Sequence, residues 1–317
     1  MDTLFDLGNN PEFDRDELRR RLQDLAGRGI RIGGSSWKYE GWIDQIYSRS
    51  RYLTRGRFSK KLFEETCLEE YASIFPTVCG DFAFYQFPPE AFWKKLFRQS
   101  PPGFKWAFKI PEQITVPAWP VHPRYGAAAG RENADFLNGD LLCSGFLTPL
   151  KQFREKVGVL IFEFGRSASL AFSDTMGFIK ALDQFLTELP PGWRYAVEIR
   201  NAELLVAEYF DCLKTHNAAH VFNAWTRMPE IGEQLALPNS VTSEMIVARA
   251  LLKRGRPYAD AVRDFAPYNR TCEVNAKVRD DLRKVVDVAL VDGMPAWIYV
   301  NNRLEGNSPM TIEAVVS

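Results

Sequence analysis

The sequence is poor in the residues that hold metals and staple small folds. Its 317 residues include three histidines and five cysteines. Cys67, Cys79, Cys143, Cys212 and Cys272 are far apart, odd in number and contain no CxxC pair, which argues against a disulfide framework or a zinc cluster. No HExxH and no compact Cys/His set occurs, so neither a catalytic metal centre nor a bound cofactor is expected. No strand candidate leads into a glycine-rich phosphate loop, and no serine sits in a nucleophile elbow. Net charge is missing too: 40 Lys and Arg balance 40 Asp and Glu, whereas constitutive binding to nucleic acid usually comes with a basic excess. No apolar run approaches the roughly 20 residues needed to span a bilayer. The opening MDTLFDLGNNPEFDRDELRRR is too acidic and polar for a signal peptide. The expected setting is the cytoplasm, with no membrane contact.

What is abundant is core material. Hydrophobic residues make up 46% of the chain, with 23 Phe and 8 Trp, enough to bury a large interior. Residues 1–29 are expected to form a loose tail over 1–13 and a helix over 14–27. Asp14 would cap that helix, Leu18, Leu22 and Leu25 share one face, and Gly27 and Gly29 end it. From residue 30 onward, short apolar runs alternate with helical stretches. Strands are predicted at 30–34, 77–79 and its continuation, 105–110, 158–164, 194–200, 219–224, 245–250 and 296–301. Helices are predicted at 59–75, 89–98, 131–156, 173–189, 202–217, 256–264 and 274–292. Eight such units close naturally into a TIM-like (β/α)8 barrel over residues 30–317, with the 1–29 segment as an N-terminal helical extension. An open doubly wound sheet is the competing architecture. The loop 111–126, bent by Pro111, Pro117, Pro120 and Pro123, and the polar connection 226–243 both follow strands. In a barrel, such loops lie on the catalytic face.

Alternate residues of each barrel strand point inward. In RYAVEIR, Ala196, Glu198 and Arg200 form the inward face; in KWAFKI, Ala107 and Lys109 do. Glu163 ends VGVLIFEF in the same way, and Arg249 ends MIVAR. Two acids and three bases therefore converge. They either fix the barrel as interior ion pairs or line a polar pocket suited to a charged small ligand. One of Asn301 and Asn302 points inward after the eighth strand, where an amide would orient a ligand. Ser35, Ser36, Trp37, Tyr39 and Trp42 follow the first strand, either to stack on a ligand ring or to plug the barrel. Cys79 reads as a small core residue. His216 and His220 have helical spacing, but a helix end runs into a strand between them, so a shared metal face is not expected, and His122 reads as a surface residue.

Six blocks together resemble the DUF72 (YecE-like) family. They are IGGSSWKYEGW, FPTVCGDFAFYQFP, PPGFKWAFKIPEQIT, VGVLIFEFG, YAVEIRN and IYVNNRLEGNSPMTIEA, in family order over roughly residues 30–314. The resemblance implies a TIM-like barrel of unestablished activity, for which a nuclease-like or nucleic-acid role has been suggested. Lys109, Thr115, Glu198, Arg200, Asn301 and Asn302 match the family pattern. Cys79 and Asp81 stand where it has Glu and Asn, Glu163 where it has Gln, Asn201 where it has His, and Arg303 where it has Asp. The chain therefore reads as a divergent member.

The expected function is a metal-independent enzyme that binds a small polar or anionic ligand, phosphorylated or sugar-like, at the C-terminal ends of the strands. Glu198 would be the acid/base, working with Lys109. Arg200, Arg249, Asn301, Asn302, Glu163 and Asp81 would hold the ligand, and Trp37, Tyr39 and Tyr85 would wall it. The acid/base role requires that water reach Glu198. A nucleic-acid partner, carried by the basic cluster Arg49, Arg51, Arg55, Arg57, Lys60 and Lys61, is possible and not favoured. A binding or scaffold protein without catalysis is the third alternative. The sequence does not indicate an oligomeric state.

Overall fold

A computed structural model describes residues 13–172 and 174–317. The tail expected over 1–13 lies, Phe13 aside, outside the described residues. Helix α1 (Arg15–Gly27) opens the described chain, with the Asp14 carboxylate accepting the Asp16 and Glu17 amides and Leu18 and Leu22 buried. Strand β1 (Ile30–Gly34) follows. Then come α2 (Lys60–Ile74), β2 (Thr77–Gly80), α3 (Glu90–Phe97), β3 (Lys105–Lys109), β4 (Val157–Phe164), α4 (Thr175–Thr187) and β5 (Tyr195–Ile199). The chain continues through α5 (Ala207–Thr215), β6 (Ala219–Ala224), β7 (Ile246–Ala250), α6 (Tyr258–Phe265), α7 (Ala276–Val291), β8 (Ala296–Val300) and α8 (Ser308–Val316). Among the described residues, eight parallel strands pair in chain order, and β1 closes on β8 from Ile30–Ala296 to Gly34–Val300. That last pairing excludes the open sheet.

The seam between β1 and β2 is thin, with one register pair, Gly34 with Val78. A Cβ on Gly33 would meet the Thr77 carbonyl oxygen at 2.0 Å, so only glycine lets the strands approach there. The Tyr71 hydroxyl spans the seam from α2: it donates to the Thr77 carbonyl (3.0 Å) and accepts from the Gly34 amide (2.7 Å). The lower barrel is filled by apolar side chains, among them Ala107, Val159, Ile161, Ala196, Val221, Val247, Trp297 and Tyr299. The Trp297 ring lies across the floor against β4. A Cβ on Gly158 would fall 2.4 Å from it.

Helix α1 packs against β1, α2 and α8, taking a place in the outer helical layer. The helix predicted over 131–156 instead begins at Gly139. Residues 131–138 are held by the proline loop, because the Asn133 amide donates to the Gln113 and Val116 carbonyls (2.7 Å each), and Asn138 then caps the helix. The stretch after β8 is also helical. Asn302–Glu305 ends at left-handed Gly306, and α8 restarts from Asn307, whose side chain accepts the Met310 amide. No helix among the described residues is long and apolar enough to cross a membrane.

Candidate functional site

Strand alternation delivers Lys109, Glu163, Glu198, Arg200 and Arg249 to one end of the barrel interior. Glu163 and Glu198 are register partners on β4 and β5. Two carboxylates at one height repel, and burial raises the cost of charging either, so they must be met by cations. Glu163 Oε2 accepts from Arg200 (2.7 Å), Lys109 (2.8 Å) and Arg249 (3.1 Å). Glu198 accepts from Arg200 Nε (3.2 Å) and from Arg249 Nη1. Arg249 reaches Asp81 as well, at 3.3 Å. Burial pushes the Glu163 carboxyl up, but Arg200, Lys109 and Arg249 outweigh it and hold the group well below the usual carboxylate range. Burial also opposes the charge on Arg249, yet Glu198, Cys79, Asp81 and Glu163 keep it firmly protonated.

A cavity of about 410 Å³ opens above this network. Lys109, Arg200, Arg249, Asp81 and Glu163 reach it from the barrel, and Asn301 and Arg303 from the end of β8. Tyr39, Tyr85, Ser35 and Ser36 also line it. Aromatic faces steady the cations. Arg200 lies 3.8 Å over Trp225, Lys109 3.6 Å over Phe84 and Arg303 4.6 Å over Tyr258. The volume suits a small metabolite, and the lining mixes charge, hydroxyls and rings.

Three expected site residues lie elsewhere. The Glu198 side chain is 0% exposed against 9% for Glu163, so the water access that an acid/base role requires is absent. Arg200 and Arg249 cover it. Asn302 does not line the cavity. It is buried and its side chain accepts the Ser308 amide at 2.7 Å, joining the two C-terminal helices. Trp37 is buried edge-on against Trp106 and Phe82 and faces a neighbouring groove with Lys38 and Lys95. Trp42 is likewise buried, stacked on Tyr47 and Tyr71. Of the aromatics after β1, Tyr39 therefore faces the mouth and the two tryptophans plug the wall.

Cys79 lies in the apolar barrel interior, and burial pushes its thiol up to about 12, which suits a core residue. His216 caps α5 beside Asp183, whereas His220 is buried on β6 between Tyr209 and Gln234. His122 is exposed and accepts the Arg124 amide. The basic cluster is partly spoken for: Arg49 pairs with Asp44, Arg51 with Glu69, and Lys60 with Glu40.

Sequence reasoning missed Trp225, Tyr258, Phe84 and, as a lining group, Arg303. Trp225 directly follows β6, so reading one residue past each strand end would have found it. Tyr258 reaches the mouth from the start of α6, across a loop with no local signal.

The model of the family described as "Protein of unknown function DUF72" matches residues 31–317. No curated protein matches the chain. Crystal structures of DUF72 family proteins share the fold. One, from Thermotoga maritima MSB8, has a TM-score of 0.61 at 15% identity, with 90% of this chain and 96% of that chain covered. Another, from Enterococcus faecalis V583, has a TM-score of 0.58 at 15% identity, with 90% and 95% covered.

Proposed function

Since the chain belongs to the DUF72 family, whose description assigns no activity, we propose a function from its own barrel mouth: it binds a small anionic, hydroxyl-bearing ligand of the phosphorylated or sugar-like class and acts on it. One observation carries this reading. Lys109, Arg200, Arg249 and Arg303 reach the cavity against only Asp81 and Glu163, because the third carboxylate, Glu198, is sealed beneath. Arg303 bonds Asn301 Oδ1 at 3.3 Å and pairs with no carboxylate among the described residues. It is left to meet a ligand anion, in the planar geometry that suits carboxylate or phosphate. Ser35, Ser36, Tyr39 and Asn301 supply partners for hydroxyls, and Trp225 and Tyr258 supply flat faces.

Within this reading Lys109 is the group placed to give a proton to the ligand, and Glu163 orients it. Glu198 becomes a positioning carboxylate that fixes Arg200 and Arg249. The scheme calls on side-chain charges and no metal. Binding without catalysis is the second reading. It is favoured by the tight pairing of Glu163 and Glu198, which leaves neither as a free base.

The test is a thermal-unfolding titration with ribose 5-phosphate, inorganic phosphate and ribose. Native-state binding raises the midpoint by mass action. Stabilisation is expected from the two phosphate-bearing probes and not from ribose. Arg303→Gln is expected to weaken it at least about tenfold, the scale of a lost charge-assisted hydrogen bond. Equal stabilisation by ribose, or no response to the substitution, overturns the anion site.

A further inference from the structure

Away from the mouth, the outer helical layer brings together three metal-ligand side chains that no part of the proposed function uses. Although the sequence pattern gave no expectation of a metal set, Cys212 on α5 and His216, its C-cap residue, are four residues apart and come together at the helix end. Asp183 comes from the neighbouring α4. His216 Nε2 lies 2.7 Å from Asp183 Oδ1, and Cys212 Sγ lies 4.0 Å from the same oxygen. One ligand atom from each residue falls within 4.8 Å of the other two. Around a tetrahedral ion, bond lengths of this donor set separate ligand atoms by roughly 3.3–3.6 Å, so side-chain adjustments of about 1 Å would complete the site.

We propose that Asp183, Cys212 and His216 bind one borderline-soft divalent cation of the zinc class, which clamps α4 to α5 and keeps water in the fourth position. The donor set decides the class. A thiolate and an imidazole suit zinc, whereas magnesium and calcium prefer oxygen donors. Graded burial decides the open side: Cys212 is buried, His216 has 16% of its side chain exposed, and Asp183 has 53%. Solvent therefore reaches the ion past the carboxylate. Burial, and then the Asp183 charge, pushes the free Cys212 thiol up to about 12. Binding must release that proton to water as the sulfur gives a lone pair to the ion. The strands run toward the mouth and α5 runs back, so His216, at its end, sits at the floor side of the barrel. The site is thus a fastening, separate from the ligand cavity, and its test does not depend on the mouth.

The test is a cobalt(II) titration of the full chain, read by the near-ultraviolet thiolate-to-metal charge-transfer band, with zinc as competitor and thermal unfolding in parallel. One ion per chain is expected, displaced by zinc, with a raised unfolding midpoint. Magnesium and calcium are expected to give no such shift. Cys212→Ser is expected to abolish the band, and His216→Ala and Asp183→Asn to weaken binding at least about tenfold. Asp183 is exposed, so its variant probes the site without disturbing the core. Cys143→Ser and Cys272→Ser, at the two thiols that are not buried, are expected to leave the band intact. Absence of the band, or its survival in Cys212→Ser, overturns the proposal. So does a titration unchanged in both His216→Ala and Asp183→Asn.

Discussion

Arg249 shows what one residue can carry. Its side chain is 2% exposed and meets Glu198, Glu163 and Asp81 at once. Removing it leaves Glu198 charged, buried and short of a partner, the situation in which breaking a buried pair costs about 3–5 kcal/mol. Arg249→Met is therefore expected to lower stability by that amount in urea unfolding, and Arg249→Met with Glu198→Gln to recover much of it. A loss below about 1 kcal/mol for the single variant would mean the network is already neutralised in some other way. The ionic cluster itself was legible in the sequence, because strand alternation fixes direction: Lys109, Glu163, Glu198, Arg200 and Arg249 all point inward as read. Depth was not legible. Alternation cannot say that two arginines would roof Glu198 while Glu163, at the same height, stays at the surface of the cavity. Nor can it say that Trp37 would turn into the wall and Trp225 would face the mouth.

Strand β4 depends on a missing side chain. Gly158 gives its space to the Trp297 ring, and a methyl group there would overlap ring carbons 2.4 and 2.5 Å away. Gly158→Ala is expected to cost about 1–3 kcal/mol through overpacking and to change the fluorescence of Trp297. An unaltered unfolding midpoint would show that the floor can repack freely. The strands and long helices were legible at this scale because period-2 and period-3.6 patterns are strong over several residues. The short pieces were not. Asn302–Glu305 and Ile231–Leu235 are single turns held by caps: Asn301 for the first, and a reciprocal Glu230–Glu233 capping box for the second. The 131–138 stretch was misread because its apolar spacing suits a helix, while Asn133 ties it to a loop that local pattern does not reveal.

The molecule as a whole balances its charges, yet it buries several ionisable groups, and its stability must follow pH accordingly. Glu163 is held ionised well below its ordinary value near 4.5. Its contribution is present above that value and fades as pH falls toward the folded one. His220 adds a second, earlier loss. Burial pushes its imidazole from 6.5 down to about 4, so the fold holds it neutral. Stability from this group is complete above pH 6.5 and declines as pH falls toward 4, because the unfolded chain takes up the proton first. The full effect is at most about 3 kcal/mol. The urea midpoint is expected to drop between pH 7 and pH 5, and His220→Gln to flatten that drop. An equal slope in the variant would place the acid sensitivity elsewhere. The floor beneath these groups has one more consequence. With Trp297 laid across it, the barrel is a cul-de-sac rather than a tunnel. On the proposed reading, a ligand that leaves the mouth must back out along the path by which it came, so a spent ligand would obstruct the next arrival.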